Sequence, residues 1–181
     1  MTIEEFLAFT HERPKGERWE LIEGAPVLNP SPIDFHQVIV TNIVTHLMTE
    51  KITKGHSWLP FIGTGTRVPA SKNSLPQPDA LLIAGPLTGT PVAEEALVIF
   101  EVMSRSNTKA DQAWRRKVYA SVPNCQYDVT VSLKGAEITA FDRDTGWAER
   151  TLSGRDSALD LPALGVTMPL EAVYRYTPIG A

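Results

Sequence analysis

The chain is nearly devoid of cysteine. Cys125 is the only one among 181 residues, which excludes an intrachain disulfide and any cysteine-rich zinc site. A reducing, cytoplasmic compartment fits that usage. No apolar run is long enough to cross a membrane. The first residues, Met1-Thr2-Ile3-Glu4-Glu5, lack the basic start of a signal peptide. Positive charge is also in short supply. The formal net charge is −4, which argues against a protein that coats nucleic acid with a broad basic face, though a local basic cleft is not excluded. There is no phosphate-binding glycine loop, no Gly-x-Ser-x-Gly elbow and no partner histidine evident for Ser104. His11, His46 and His56 have no metal-ligand spacing with His36. Internal repeats and low-complexity tracts are missing as well.

What remains is ordinary globular composition, 43% apolar and 21% charged, in a chain of single-domain length spanning residues 1–181. Thr2-Ile3-Glu4-Glu5 reads as a capping box opening a short helix to about Thr10. Residues 18–22 and 25–28 form a hairpin around Glu23-Gly24. The spacing of Val38, Ile39, Ile43, Val44 and Leu47 predicts a helix from Asp34, as its cap, to about Lys51. Two short strands are expected around Gly63 and Gly65. Apolar strands follow at 79–83 and 96–102, then a helix from Thr108 to Ser121, then a meander over 126–131, 137–141 and 147–151. The tail from Pro162 reads as loop with a short helical turn.

Two carboxylates stand out. Asp79, in Gln77-Pro78-Asp79, opens one apolar strand, and Glu101 closes another 22 residues later. A charge on a buried strand costs several kcal/mol unless it is paired or metal-bound. If the strands are neighbours, the two could share one hard cation at roughly 2.0–2.6 Å. Each also has a plainer role available, Asp79 as a turn residue and Glu101 as a partner of Arg105.

On the second predicted helix, Ala110, Ala113, Trp114, Lys117 and Ser121 share a face at 100° per residue, with Arg115 and Arg116 off it. Lys117 is therefore expected to meet Glu101 or Asp79, or else to snorkel. Arg105, Lys109, Arg115, Arg116 and Lys117 make the densest basic segment, which suits phosphate contact or a solvated helix face. His36 is a metal ligand, a general base or a polar first-turn residue.

Trp19-Glu20-Leu21-Ile22-Glu23-Gly24, Ser31-Pro32 with His36, Gln77-Pro78-Asp79, Glu101-Val102-Met103-Ser104-Arg105-Ser106, Asp111, and Lys117 with Tyr119 together resemble the Uma-type restriction endonuclease family. That family is a bacterial group of the PD-(D/E)XK nuclease superfamily. The resemblance runs from about residue 4 to 150. It implies an α/β (α+β), restriction-endonuclease-like fold, a mixed and mostly antiparallel sheet flanked by helices. It further implies metal-dependent hydrolysis of DNA phosphodiester bonds with Mg²⁺ or Mn²⁺. Asp79 and Glu101 match the metal-binding acids, and Glu20 matches a third glutamate that joins the metal site. Lys117 replaces the lysine usually two residues after the glutamate, where this chain has Met103. His36, Arg105, Lys109 and Arg116 are expected at the nucleic acid, and a homodimer or higher homo-oligomer is expected. The sequence also departs from the pattern after the helix, where Gln126-Tyr127-Asp128-Val129-Thr130 lacks the usual tryptophan and later aspartate. Two alternatives follow: a catalytically lapsed fold that binds nucleic acid or protein, and a structural subunit whose acid–lysine cluster satisfies itself.

Overall fold

The computed structural model describes residues 1–103 and 107–180. Helix α1 (Ile3–His11) carries the full capping box, Thr2 accepting from the Glu5 amide and Glu5 from the Thr2 amide. Strands β1 (Arg18–Ile22) and β2 (Ala25–Asn29) pair antiparallel. Their two-residue turn places Glu23 at φ 49° and Gly24 at φ 82°, the left-handed pair that a tight hairpin demands. Helix α2 (Asp34–Lys54) is longer than expected. Its N-cap is Ile33, without a side-chain cap, and the Asp34 carboxylate accepts only the Phe35 amide at 2.8 Å.

A six-stranded sheet runs in the order β10-β9-β8-β7-β5-β3. Its members are β3 (Leu59–Ile62), β5 (Ala80–Ile83), β7 (Val98–Val102), β8 (Tyr127–Val131), β9 (Glu137–Asp142) and β10 (Ala148–Ser153). Every pairing is antiparallel except β7 with β8, which the helix α3 (Lys109–Tyr119) connects. Two-residue strands β4 (Gly65–Thr66) and β6 (Val92–Ala93) pair parallel beside it. The mixed, mostly antiparallel sheet between helices is the architecture expected from the sequence.

Alternation along the strands divides the core. Val98, Phe100 and Val102 join Ile39, Ile43 and Leu47 of α2 on one face. Leu81 and Ile99 join Val118 and Tyr119 of α3 on the other. Both sheet faces are covered, so the central strands are continuously apolar. Complete burial of a residue such as Leu81 or Leu82 contributes roughly 1.5–3 kcal/mol each.

The tail differs from the expected loop. It forms a hairpin of β11 (Ala158–Leu161) and β12 (Val166–Pro169), then α4 (Leu170–Val173). Leu159, Leu161, Val166 and Met168 alternate into the first core, but Pro162, Gly165 and Pro169 mask the strand pattern. No helix among the described residues is long and apolar enough to cross a membrane.

Candidate functional site

The site forms where β5 and β7 part. Leu81 pairs with Ile99 and Ala80 with Phe100, so Asp79, one step before β5, stands across from Glu101. The two strands are adjacent, and the two carboxylates are close enough for the charge of Asp79 to raise the Glu101 pKa, although Asp79 takes its partners from α2, β1 and the Val102 amide and Glu101 takes its own from α3. Asp79 is 7% exposed. Its Oδ2 accepts the Val102 amide at 2.9 Å and faces His36 Nε2 at 3.1 Å, and its Oδ1 meets Arg18 at 3.3 Å. The Val102 N–H points toward β5 beyond the last ladder residue, so the carboxylate replaces a missing strand carbonyl. Burial alone would raise the Asp79 pKa, but His36, Val102 and Arg18 together hold it below the ordinary carboxylate value.

Glu101 has a different environment. Its Oε1 accepts Tyr119 Oη at 2.5 Å and Arg115 Nη1 at 3.0 Å. Its Oε2 accepts no hydrogen bond among the described residues. Burial, with the charges of Asp79 and Glu20 added, outweighs Arg115 and Tyr119 and pushes its pKa up to about 8. Glu101 is thus a carboxylate whose burial outweighs its one arginine partner, with one oxygen that accepts nothing among the described residues.

Glu20 sits on β1, 2% exposed. Its Oε1 takes the Gln77 amide at 2.6 Å and Arg115 Nη1 at 3.0 Å; its Oε2 takes Arg115 Nη2 at 2.6 Å and Asn29 at 2.9 Å. Burial would raise its pKa, and Arg115, Gln77 and Asn29 reverse that. Expected as a third metal ligand, Glu20 has both oxygens engaged, by Arg115, Asn29 and the Gln77 amide just ahead of β5.

Arg115 is the residue that sequence reasoning missed. Its fork bridges Glu20 and Glu101, with Tyr119 Oη at 3.1 Å and Asp111 at 3.5 Å from its Nε. Burial opposes its charge, but Tyr119, Glu101 and Glu20 more than offset that and keep it protonated. The expectation that Lys117 meets the carboxylates is corrected: Lys117 is exposed and makes no ion pair among the described residues. The helix is rotated by about one residue, or 100°, from the expected stripe. Asp111, Arg115 and Tyr119, at i, i+4 and i+8, form the face toward the site. That polar triplet is the signal the alanine–tryptophan stripe concealed.

The remaining expected contacts divide. His36 is 5% exposed, so it supports Asp79 from beneath and does not offer itself to a nucleic acid. Its Nε2 must carry the proton to donate to a carboxylate, which leaves a buried Nδ1 with no partner among the described residues. Lys109 is exposed near the start of α3. Arg116 lies over the Phe141 ring at 4.2 Å and, with Asp128, lines a water-sized cavity of about 20 Å³ beside Glu101. Arg105 lies outside the described residues. Asp128 was not anticipated as a site residue. It is 4% exposed, has no hydrogen bond among the described residues, and burial pushes it up to about 7 against the opposing pull of Arg116 and Arg115.

The donors here suit a hard cation. They are oxygens, one of them open, in a place where burial outweighs the one arginine beside Glu101. Among the described residues no three histidine, cysteine or acidic side chains converge to hold an ion. A two-carboxylate site completed by water or substrate oxygens is the usual arrangement for Mg²⁺.

The profile of the family Uma2, described as "Putative restriction endonuclease", matches residues 3–171. A crystal structure from Anabaena variabilis, described as "a putative nuclease belonging to DUF820", is 13% identical with a TM-score of 0.76, covering 96% of this chain and 97% of that one. At that identity the likeness concerns the fold. No curated protein matches.

Proposed function

The chain belongs to the Uma2 family of restriction-endonuclease-like nucleases, and from that premise we propose that it is a metal-dependent endonuclease that hydrolyses DNA phosphodiester bonds. Residues 1–181 act as one nuclease-like domain, assembled as a homodimer or higher homo-oligomer. The observation that carries this reading is the Asp79–Glu101 pair. It places two carboxylates across neighbouring strands at the sheet's end, with an open Glu101 oxygen.

Asp79 and Glu101 would hold Mg²⁺ or Mn²⁺, which supplies Lewis-acid polarisation of the scissile phosphate and acidifies bound water. The protein's own contribution is positional. His36, Arg18 and the Val102 amide fix the Asp79 carboxylate in its ionised form. Tyr119 and Arg115 orient Glu101 by one oxygen and leave the other free. The Arg115 guanidinium, held by Glu20, is a fixed positive charge beside the place where a phosphate's negative charge builds up. It stays protonated, so it stabilises charge and does not transfer a proton.

That same fact favours a second reading. A site whose fixed cation is an engaged arginine suits a catalytically lapsed domain that binds nucleic acid. Calorimetric titration with Mn²⁺, followed by a plasmid-nicking assay with Mg²⁺ and Mn²⁺, separates the two. The nuclease reading expects Mn²⁺ binding lost in Asp79→Asn and Glu101→Gln, and nicking that both variants abolish. DNA binding without nicking in either metal selects the lapsed domain. Failure to bind either metal or DNA refutes both readings.

A further inference from the structure

On the far side of β1 from the carboxylates lies a larger recess of about 190 Å³. At ~30 Å³ of liquid volume per water it has room for roughly six waters, the scale of an organic ring system and not of an ion. Phe6 and Leu7 of α1, Trp19 of β1 and Leu75 supply apolar walls. The indole is fixed in place, its Nε1 donating to Glu17 at 2.7 Å and its ring edge-on to Phe9 at 5.1 Å.

Most of the polar groups around the recess are already satisfied. The Thr10 hydroxyl donates to the Leu7 carbonyl at 3.0 Å, and the Arg13 guanidinium lies over the Phe9 ring at 4.6 Å. Besides the Arg13 guanidinium, which makes no hydrogen bond among the described residues, one polar side chain stands unengaged, that of Gln77. Its backbone amide is bound to Glu20 at 2.6 Å, while its side-chain amide lines the recess and makes no hydrogen bond among the described residues. The recess therefore presents apolar walls that include an aromatic ring, one unengaged donor–acceptor pair on Gln77, and the charged Arg13 and Glu17 side chains.

That combination selects a planar heteroaromatic ring bearing a donor next to an acceptor. Among nucleobases, the N6 and N7 edge of adenine matches a glutamine amide in two-point fashion. Stacking on an aromatic wall adds roughly 1–3 kcal/mol for an unstacked base. The position is suitable too, since Gln77 is two residues before Asp79 and forms the partition between recess and carboxylates. Arg13 and Lys15 lie exposed in the loop at its mouth, where a strand's phosphates would pass. We propose that this recess is a binding site for an unstacked adenine of the bound strand, read by the Gln77 side chain. The proposal rests on the nucleic-acid reading given above.

The test is fluorescence anisotropy with the full chain in EDTA. It uses labelled duplexes identical except for one unpaired nucleotide: adenine, thymine or an abasic residue. The adenine duplex is expected to bind about tenfold tighter than the abasic one, with thymine in between. Gln77→Met keeps the backbone amide that Glu20 needs. Thr10→Phe fills the recess from α1 without touching the carboxylates. Each is expected to reduce the adenine duplex to abasic affinity and leave abasic binding unchanged. Equal binding of adenine and abasic duplexes by the wild type overturns the proposal while sparing the nuclease reading, as does an adenine preference that survives in either variant. Failure of every duplex to bind overturns the proposal, and failure that persists when Ca²⁺ replaces EDTA overturns the nucleic-acid reading with it.

Discussion

Arg115 shows what one side chain settles. Its guanidinium faces Glu20, Glu101 and Asp111, so Arg115→Ala leaves buried carboxylates without their counter-charge. We expect a loss of about 3–5 kcal/mol in urea unfolding. Arg115→Lys recovers only part, because a point charge cannot span two carboxylates as a fork does. Lys117→Met, two positions along, is expected to change stability by no more than about 0.5 kcal/mol and to leave nicking intact. Asp128 gives a pH signature. Its folded-state pKa, pushed up to about 7, lies above the ordinary carboxylate value, so the folded protein holds this proton more tightly than the unfolded chain does. Stability is therefore favoured at low pH, falls as pH rises from about 4 to about 7, and stays low above that. Asp128→Asn should remove that slope and raise stability at pH 8 by up to about 4 kcal/mol, read from denaturation midpoints across the pH range.

At the scale of elements, helix α3 is fixed as much by its cap as by its buried face. The Thr108 hydroxyl accepts the Asp111 amide at 3.1 Å, and Thr108→Ala is expected to cost about 1 kcal/mol. Because Asp111 and Arg115 lie in the first turns, that loss should also loosen the grip on Glu101 and appear as weaker Mn²⁺ binding. The helix's existence was legible in the sequence; its rotation was not. Ala110, Ala113 and Trp114 suggest a core stripe, whereas the structure turns inward a polar triplet, Asp111, Arg115 and Tyr119, whose partners come from β1 and β7. Sequence periodicity sees apolar side chains and cannot see that a distant glutamate will make an arginine the inward residue. The same limit concealed Asp128, which replaces an apolar residue on an otherwise buried strand. Asp79 and Glu101 were legible because each interrupts an apolar run. The β11–β12 hairpin was not, because its strands are four residues each and bounded by proline and glycine.

For the molecule as a whole, the Asp79 carboxylate has the broadest effect, because it completes the β5–β7 ladder at Val102. Amide hydrogen exchange at Val102 should therefore report on the site: Asp79→Ala is expected to speed it about fivefold, the loss of one hydrogen bond of about 1 kcal/mol, while Ile99 and Phe100 keep their protection. Glu101 bears no such structural duty. Burial already disfavours its charge, and glutamine keeps the oxygen that Tyr119 and Arg115 grip. The two acids therefore differ in how readily evolution can discard them. A lineage under selection to silence this domain can replace Glu101 by glutamine at little cost to folding, but losing Asp79 also frays the end of the β5–β7 ladder. Inactive descendants of this chain are accordingly expected to retain the aspartate as a fossil of the site and to have changed the glutamate first.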